Sequence, residues 1–475
     1  MFGFSSIKKY HSSLEEGTVT CLQAVEHYLQ QIQASQHLNA FVNVYPDEAK
    51  TRAKQLDEKR KSGDVTAKLH GVVIGIKDVI AYKDHPLSAS SKILKGFSSI
   101  YSASAVKKLL EEEAIIIGNL NCDEFAMGST NENSAYGKVL NALDETRIPG
   151  GSSGGSAVAV QAGLCMISLG SDTGGSVRQP ADLCGIVGLK PTYGRISRYG
   201  LIAYASSFDQ IGIFGNNIPD IALTLEVLAG EDEFDSTVSQ RPVQSYSALL
   251  DDPQKYRIAY FDEALDHPSL DPEISASIKG QLGRLKNQGH DVQPVAFDLL
   301  DHIVPAYYVL TTAEASSNLS RYDGVKYGYR APESNIELTE LYKESRSSGF
   351  GKEVKRRIML GTFVLSSGYY DAYFTRAQKV RKLLYDKTQL IFKEFDFIML
   401  PTSPSTAFKI GEKMDDPIAM YLADIYTVMA NLVGVPAISL PLFKHTNGMP
   451  FGLQVMANRF NELDLLRISN QLMKQ

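Results

Sequence analysis

Three segments of the chain carry side chains that could act together as a nucleophile and its base. Lys77 lies within the apolar run GVVIGIKDVI at 71–80, and two Gly-Ser loops follow it, GGSSGGS at 150–156 and SDTGGSVRQP at 171–180. A serine hydroxyl attacks a carbonyl carbon only after a base has taken its proton. Glycines beside such a serine let backbone N–H groups approach the reacting carbonyl, as an oxyanion hole requires. The combination predicts nucleophilic chemistry at a carbonyl, with Thr173, Gly174, Gly175 and Ser176 as candidate oxyanion donors.

Lys77 can serve as the base only when its amine is neutral. Burial among apolar neighbours lowers the pKa of an ammonium group, because desolvation disfavours the charged form. Half neutralisation at pH 7 requires a drop of about 3.4 from the usual value of about 10.4, which costs about 4.6 kcal/mol. Buried lysines in other proteins reach that range. The alternative is that Lys77 pairs with Asp78 or reaches solvent.

Two other interpretations of the loop at 150–156 stay open on these residues alone. The loop lacks the lysine of a Walker motif, but the helix predicted at 156–164 could hold a phosphate at its N-terminus. The pattern G-x-S-x-G also occurs twice, centred on Ser152 and Ser153, as in the elbow of serine hydrolases. Such an enzyme needs a downstream histidine, and none lies in a distinctive loop. The candidates are His267, His290, His302 and His445.

Composition is typical of a globular protein. The chain has 475 residues, 44% of them hydrophobic and 21% charged, which excludes a disordered chain. Its net charge of −6 argues against nucleic acid held on its own surface. The spacing of the four cysteines does not resemble a zinc site, so we expect reduced thiols and no metal. No apolar run reaches about 18 residues, so we expect a cytoplasmic protein without a membrane span.

Predicted strands and helices alternate along most of the chain. Strands are predicted at 71–80, 115–120 and 397–401, and helices at 18–35 and 420–433, among others. Residues 302–395 are mostly helical, dense in tyrosine and charge, and are predicted to form a helical subdomain inserted on the main sheet. No repeat or linker divides the chain. We therefore expect one α/β domain over residues 1–475.

The three segments, in this order, resemble the amidase signature family, and the similarity extends through the whole chain. The resemblance implies a large mixed sheet covered by helices on both faces. It implies that Ser176 is the nucleophile, that Ser152, in a cis peptide, relays its proton, and that Lys77 is the base. It further implies that Ser153 supports this network by hydrogen bonding and that Asp172 orients the second loop.

Four segments outside the triad resemble one branch of that family, the A subunits of glutamyl-tRNA(Gln)/aspartyl-tRNA(Asn) amidotransferases. They lie at 121–137, 316–330, 353–373 and 424–441. The resemblance implies that this chain hydrolyses glutamine and that the ammonia travels to a B subunit. That subunit would use ATP and magnesium to amidate a mischarged aminoacyl-tRNA, while a small C subunit braces the pair. The net charge fits a tRNA held mainly by a partner.

Glutamine carries an α-carboxylate and an α-ammonium, so its pocket needs a cation and an anion. The resemblance implies Arg356 for the carboxylate, with Arg357 a close rival, and Asp424 for the ammonium. It implies Tyr307 or Tyr308 as the pocket tyrosine. The backbone expected at the acyl chain belongs to Met127 and Gly128.

Less specific interpretations remain beside these. Arg357 stands four residues after Glu353, as in a surface ion pair of a helix. Asp424 could simply be the N-terminal charge of a helix. A free-standing amidase acting on another amide would share the triad, and an inactive family member could serve only as a scaffold.

Overall fold

The computed structural model describes residues 5–251, 254–332, 337–412 and 423–474. Its helices are α1 (Ile7–Glu15), α2 (Cys21–Ala34), α3 (Pro46–Lys61), α4 (Ser104–Glu111), α5 (Gly154–Gln161), α6 (Arg178–Cys184), α7 (Ile218–Leu228), α8 (Asp262–Leu265), α9 (Pro272–Asn287), α10 (Leu300–Asn318), α11 (Leu338–Gly349), α12 (Lys352–Leu365), α13 (Arg376–Glu394), α14 (Val428–Val433) and α15 (Glu462–Met473). Its strands are β1 (Phe41–Val44), β2 (Val73–Lys77), β3 (Ile115–Leu120), β4 (Ile167–Asp172), β5 (Val187–Lys190), β6 (Gln210–Gly215), β7 (Arg257–Tyr260), β8 (Asp291–Pro294), β9 (Phe397–Pro401), β10 (Ala437–Lys444) and β11 (Pro450–Ala457).

Within the described residues the strands form one 11-stranded sheet in the order β1-β3-β2-β4-β6-β5-β10-β11-β9-β7-β8. Strand β2 runs parallel to β3 and β4, and β7 runs parallel to β8 and β9. The remaining neighbours are antiparallel. The sheet is therefore mixed, and the predicted α/β class is confirmed.

Helices cover both faces of this sheet. Successive side chains of a strand point to opposite faces, and in β2 they enter two different apolar clusters. Val73 belongs to the cluster that includes Ala157 of α5, whereas Ile74 belongs to the cluster that includes Leu225 of α7. Strands that are apolar on both sides are typical of a sheet buried between two helical layers.

The carboxyl ends of three neighbouring parallel strands meet at one edge of the sheet. These ends are Lys77 in β2, Leu120 in β3 and Asp172 in β4. Helix α5 approaches the same edge very closely, because a Cβ on Gly155 would lie only 2.3 Å from the carbonyl oxygen of Asn121. This edge therefore gathers the predicted base and both Gly-Ser loops, where open α/β sheets place their ligands.

Helices α10 to α13 occupy residues 300–394, the stretch where the sequence predicts a helical subdomain. Its independence, and the single domain over residues 1–475, stay predictions. The sequence reasoning missed α1, α6, α8, β5 and β6, the longest of which has nine residues. It made α14 too long: the described part of the predicted helix is helical only from Val428 to Val433, and residues 420–422 lie outside the described part. Among the described residues, no helix has the length and apolar content needed to span a membrane.

Candidate active site

Lys77 is fully buried, and its Nζ atom contacts three serine hydroxyls. It donates to Ser152 Oγ at 2.7 Å, to Ser153 Oγ at 2.8 Å and to Ser171 Oγ at 2.9 Å. Ser153 Oγ in turn donates to the carbonyl oxygen of Ser171 at 3.1 Å, which ties the loop before α5 to the end of β4. The predicted base therefore meets both predicted Gly-Ser segments.

Burial lowers the pKa of Lys77 to about 8, because desolvation disfavours the ammonium form. The thiol of Cys122 and the buried acids Asp123, Asp172 and Asp209 oppose this shift and limit it. With a pKa of about 8, roughly one amine in ten is neutral at pH 7. The group is thus far closer to a working base than an exposed lysine is.

The three hydroxyl contacts suit both protonation states of this amine. An ammonium has three N–H donors, and each of the three serines can accept one of them. A neutral amine has only two N–H donors and one lone pair, so one hydroxyl must turn and donate to nitrogen. A proton can therefore pass from a serine hydroxyl to Lys77 without any change in the positions of the heavy atoms.

The backbone around Ser152 is held from both sides. The peptide bond between Gly151 and Ser152 is cis, as the family resemblance implied. The Gly151 N–H donates to Gln179 Oε1 at 3.0 Å, and the Ser152 carbonyl accepts from the Asp123 N–H at 3.0 Å. A Cβ on Gly151 would lie 2.2 Å from Asp123 Oδ2, so only glycine fits at this position.

Ser176 is the most exposed member of the predicted triad. It is 9% exposed, whereas Lys77 and Ser152 are 0% exposed, and a nucleophile must reach its substrate. Its carbonyl oxygen accepts from the Ser153 N–H at 3.3 Å, which joins the two Gly-Ser loops directly. The arrangement therefore places the predicted nucleophile toward solvent and the predicted base beneath it.

Loop 173–176 is shaped by Asp172 and Thr427. The Gly175 N–H donates to Asp172 Oδ1 at 2.9 Å, so of the four predicted oxyanion donors this one is already engaged. Thr427 Oγ1 donates to the Gly174 carbonyl at 2.7 Å, and a Cβ on Gly175, whose φ is +126°, would lie 2.2 Å from that oxygen. The donors left for an oxyanion are the N–H groups of Thr173, Gly174 and Ser176.

Asp172 takes part in a buried ion pair with Arg178. The guanidinium donates to both carboxylate oxygens of Asp172, at 3.0 and 3.2 Å, and both side chains are fully buried. Burial alone would raise the pKa of Asp172, but the guanidinium charge and its hydrogen bonds lower it to about 2. A carboxylate that stays ionised can accept the Gly175 N–H at any physiological pH, which agrees with the implied orienting role.

The predicted acid Asp424 lies in a buried polar pocket near these loops. Its carboxylate accepts from Ser129 Oγ at 2.9 and 3.0 Å and from the Tyr308 hydroxyl at 3.0 Å. Burial raises the pKa of Asp424 to about 6, and the two hydroxyl donors limit the rise. Ser129 also links the pocket to the triad, because its carbonyl accepts from Gln179 Nε2 at 3.0 Å.

Both candidate tyrosines face the site, in different ways. Tyr308 donates to Asp424, whereas the ring of Tyr307 packs on Gly174, where a Cβ would lie 2.4 Å from the phenol oxygen. Met127 is buried, and a Cβ on Gly128 would lie 2.3 Å from the Asp123 carboxyl carbon. The backbone at Gly128 therefore packs against Asp123, whose N–H supports Ser152.

The two candidate arginines lie on different faces of α12. Arg357 is buried, donates to the Tyr204 hydroxyl at 2.9 Å and to Glu353 Oε1 at 2.8 Å, and lies 5.4 Å from the centre of the Tyr308 ring. Its Nη2 has no hydrogen-bond partner in the described part of the chain. Arg356 pairs with Glu353, and its side chain is 38% exposed. Neighbouring residues of a helix point in directions about 100° apart, so the two arginines cannot both face the pocket. The buried position of Arg357 beside Tyr308 favours it over the first choice, Arg356.

A model of the amidase family matches residues 23–466 of the chain. The chain belongs to the amidase family. The A subunit of glutamyl-tRNA(Gln) amidotransferase from Chlorobaculum tepidum is 50% identical over 475 residues, which cover 99% of this chain and 98% of the relative.

Two solved structures share this amidase fold. The crystal structure of the glutamyl-tRNA(Gln) amidotransferase A subunit from Thermotoga maritima superposes with a TM-score of 0.78 at 37% identity, covering 98% of this chain and 93% of that one. Native peptide amidase from Stenotrophomonas maltophilia gives a TM-score of 0.82 at 27% identity, covering 99% and 96%. The fold alone does not separate these two activities.

Sequence reasoning missed several residues of this amidase site. Ser171 had a signal, because it opens the second Gly-Ser segment, but its contact with Lys77 depends on how β4 ends beside β2. Ser129 and Gln179 lie in segments that carry the family resemblance, but neither could be singled out, since each acts through a partner distant along the chain. Among the described residues, no cluster of His, Cys, Asp or Glu is suited to a metal ion.

The pKa of Lys77 sets the expected pH dependence of amide hydrolysis. Only the neutral amine accepts a proton, so kcat/KM should rise with pH and level off above a midpoint of about 8. The measurement is kcat/KM between pH 7.5 and 9.5, above the range in which Asp424 titrates, with an amide substrate that has no amino group of its own. A flat profile in this window, or a midpoint near 10, would contradict the assignment. Lys77→Met should lower kcat/KM by orders of magnitude, and any residual activity should lack this pH dependence.

Proposed function

We propose that this chain is the glutaminase subunit of a tRNA-dependent amidotransferase. The observation that carries the proposal is a buried pair of opposite charges beside the Ser–Ser–Lys network: Arg357 and Asp424, both in contact with Tyr308. A free α-amino acid with an amide side chain presents the complementary charges. The full-length identity of 50% with a glutamyl-tRNA(Gln) amidotransferase A subunit supports the same substrate.

In the proposed reaction Ser176 Oγ attacks the side-chain amide carbon of glutamine. Its proton passes through Ser152 to Lys77, and the oxyanion is held by N–H groups of loop 173–176. The tetrahedral intermediate collapses, the C–N bond breaks, and the nitrogen leaves as ammonia with the proton that Lys77 returns. Water then attacks the glutamyl ester by the same route, which releases glutamate and restores Ser176.

Arg357 and Asp424 would hold the two charges of the amino acid. Arg357 Nη2, which has no hydrogen-bond partner among the described residues, suits one oxygen of the α-carboxylate, and Tyr204 and Glu353 hold the guanidinium in place. Asp424, held by Ser129 and Tyr308, suits the α-ammonium. Such a pocket prefers free glutamine over a peptide or a simple amide, because those substrates would leave one of the two charges buried without a partner.

The ammonia would be used by partner subunits. By this proposal a B subunit holds ATP, magnesium and the mischarged tRNA, and converts Glu-tRNA(Gln) to Gln-tRNA(Gln), and in some cells Asp-tRNA(Asn) to Asn-tRNA(Asn). A small C subunit braces the two larger ones. The net charge of −6 agrees with tRNA binding outside this chain. The reaction would take place in the cytoplasm, with the aminoacyl-tRNA.

The nucleophile is tested with Ser176→Ala in the complex assembled with the B and C subunits of the same organism. The variant should lose Gln-tRNA formation from glutamine and keep it with added ammonium salt, because only the release of ammonia needs Ser176. The measurement is the amount of Gln-tRNA(Gln) made with each nitrogen source. Retention of glutamine-dependent activity would contradict the role of Ser176. A chain that binds no partner and hydrolyses simple amides alone would instead be a free-standing amidase.

The carboxylate ligand is tested with Arg357→Ala and, as its matched control, Arg356→Ala. Loss of a charged hydrogen bond worth about 1.5–3 kcal/mol should raise the KM for glutamine by about ten- to a hundred-fold in the Arg357 variant. The preference for glutamine over 4-aminobutanamide, which lacks the carboxylate, should disappear in that variant and persist in the other. The opposite pattern would restore Arg356 as the ligand.

A further inference from the structure

Asp209 is a buried carboxylate that the proposed mechanism leaves without a role. It lies between Tyr204 and the first residue of β6 and is 3% exposed. Its Oδ1 accepts from Thr173 Oγ1 at 2.6 Å, and its Oδ2 accepts from the Tyr204 N–H at 2.9 Å. The Ala205 N–H lies 3.0 and 3.1 Å from the two oxygens. The carboxylate thus joins two segments that are about 30 residues apart in the chain.

One of these segments is the start of loop 173–176. Thr173 supplies one of the N–H groups left for the oxyanion, and it directly follows Asp172 at the end of β4. Asp172 fixes the far side of the loop through the N–H groups of Gly175 and Val177. The bond from Thr173 Oγ1 to Asp209 fixes the near side, so two carboxylates hold the loop between them.

The other segment orients Arg357. The Tyr204 hydroxyl accepts from Arg357 Nη1 at 2.9 Å and donates to Thr311 Oγ1 at 3.0 Å. Asp209 holds the backbone of Tyr204 and thereby positions the Tyr204 hydroxyl that contacts the guanidinium. A shift of Asp209 would therefore move both the oxyanion donors and the arginine proposed to bind the substrate carboxylate.

We propose that Asp209 is a positioning residue that sets the distance between the oxyanion donors of loop 173–176 and the Arg357 guanidinium. This inference rests on the proposed glutaminase function and adds a residue to it. Asp209 touches neither substrate nor reacting atoms. Its effect passes through Thr173 on one side and Tyr204 on the other, so that a bound amide reaches Ser176 with its carbonyl oxygen in the oxyanion site.

Replacing Asp209 with asparagine changes the contact with Thr173 and keeps the contact with Tyr204. The N–H groups of Tyr204 and Ala205 can only donate, so the amide oxygen of an asparagine must face them. The amide nitrogen must then face Thr173 Oγ1, whose oxygen can accept. Asp209→Asn thus keeps the turn at Tyr204, reverses the hydrogen bond to Thr173 and removes its charge. Asparagine has nearly the same shape and volume as aspartate, so the exchange does not require repacking of the core.

The experiment measures kcat and KM for glutamine in the assembled complex, with the melting temperature of each variant. Asp209→Asn and Thr173→Val should each lower kcat by at least about ten-fold and change KM less than about two-fold, because the charged hydrogen bond that positions the Thr173 N–H is reversed in the first variant and lost in the second. The double variant should be no slower than the slower single variant, since both substitutions act on the same Thr173–Asp209 hydrogen bond. Thr173→Ser, which keeps the hydroxyl, should recover most of the kcat lost in Thr173→Val.

The matched control is Asp220→Asn. Asp220 is also a buried carboxylate that accepts a backbone N–H, that of Ile7, which lies 3.0 and 3.1 Å from its two oxygens, but it lies at the start of α7 outside the site. This variant should lower the melting temperature and leave kcat and KM unchanged.

Two results would overturn the inference. One is an Asp209→Asn enzyme that loses stability as the Asp220 variant does but keeps its kcat. The other is additive losses in the double variant. If Asp209→Asn does not fold, an equal kcat for Thr173→Val and Thr173→Ser overturns the inference alone. A wild-type complex that does not hydrolyse glutamine would instead contradict the proposed function.

Discussion

The burial of one lysine amine at the end of β2 is the constraint on which the site depends. Taking an ammonium out of water costs several kcal/mol unless hydrogen bonds replace the lost solvent. Ser152, Ser153 and Ser171 provide that replacement, and they can do so only if the loop before α5 and the end of β4 close over Lys77. Desolvation of the amine makes these hydrogen bonds necessary, and it also lowers the pKa of the amine so that Lys77 can act as a base.

A second buried charge, that of Arg178, fixes the positions of the loops around the site. Arg178 is fully buried, and besides Asp172 it donates to the Thr427 carbonyl at 2.7 Å and to Asn431 Oδ1 at 2.6 Å. It therefore connects loop 173–176 to the segment that follows Asp424. A buried ion pair gives little net stability, because desolvation offsets the attraction. We infer that its value here is geometric: it fixes the nucleophile loop relative to the substrate pocket.

Sequence alone predicted the parts of the site that are local in the chain. Lys77 in an apolar strand and the glycines around Ser152 carry their signals within a few residues, and the resemblance assigned the triad from them. The sequence could not decide between Arg356 and Arg357 as the carboxylate ligand, because nothing in it fixes the rotation of α12 about its axis. Asp209 had no signal at all, since its partner Thr173 is 36 residues away. In the fold, the sequence predicted even the four-residue strands β7 and β8, whereas it missed β5 and β6, each of which is interrupted by glycine.

The central claim is tested most directly by measuring the pKa of the Lys77 amine in the folded chain. Lysine labelled with ¹³C at the ε carbon gives an NMR signal that moves when the amine titrates, and Lys77→Met identifies the signal. We predict a midpoint of about 8. A second buried lysine, Lys190, whose pKa burial lowers to about 7, should keep its own signal in the variant. A Lys77 signal that remains that of an ammonium up to pH 10 would contradict its role as the base.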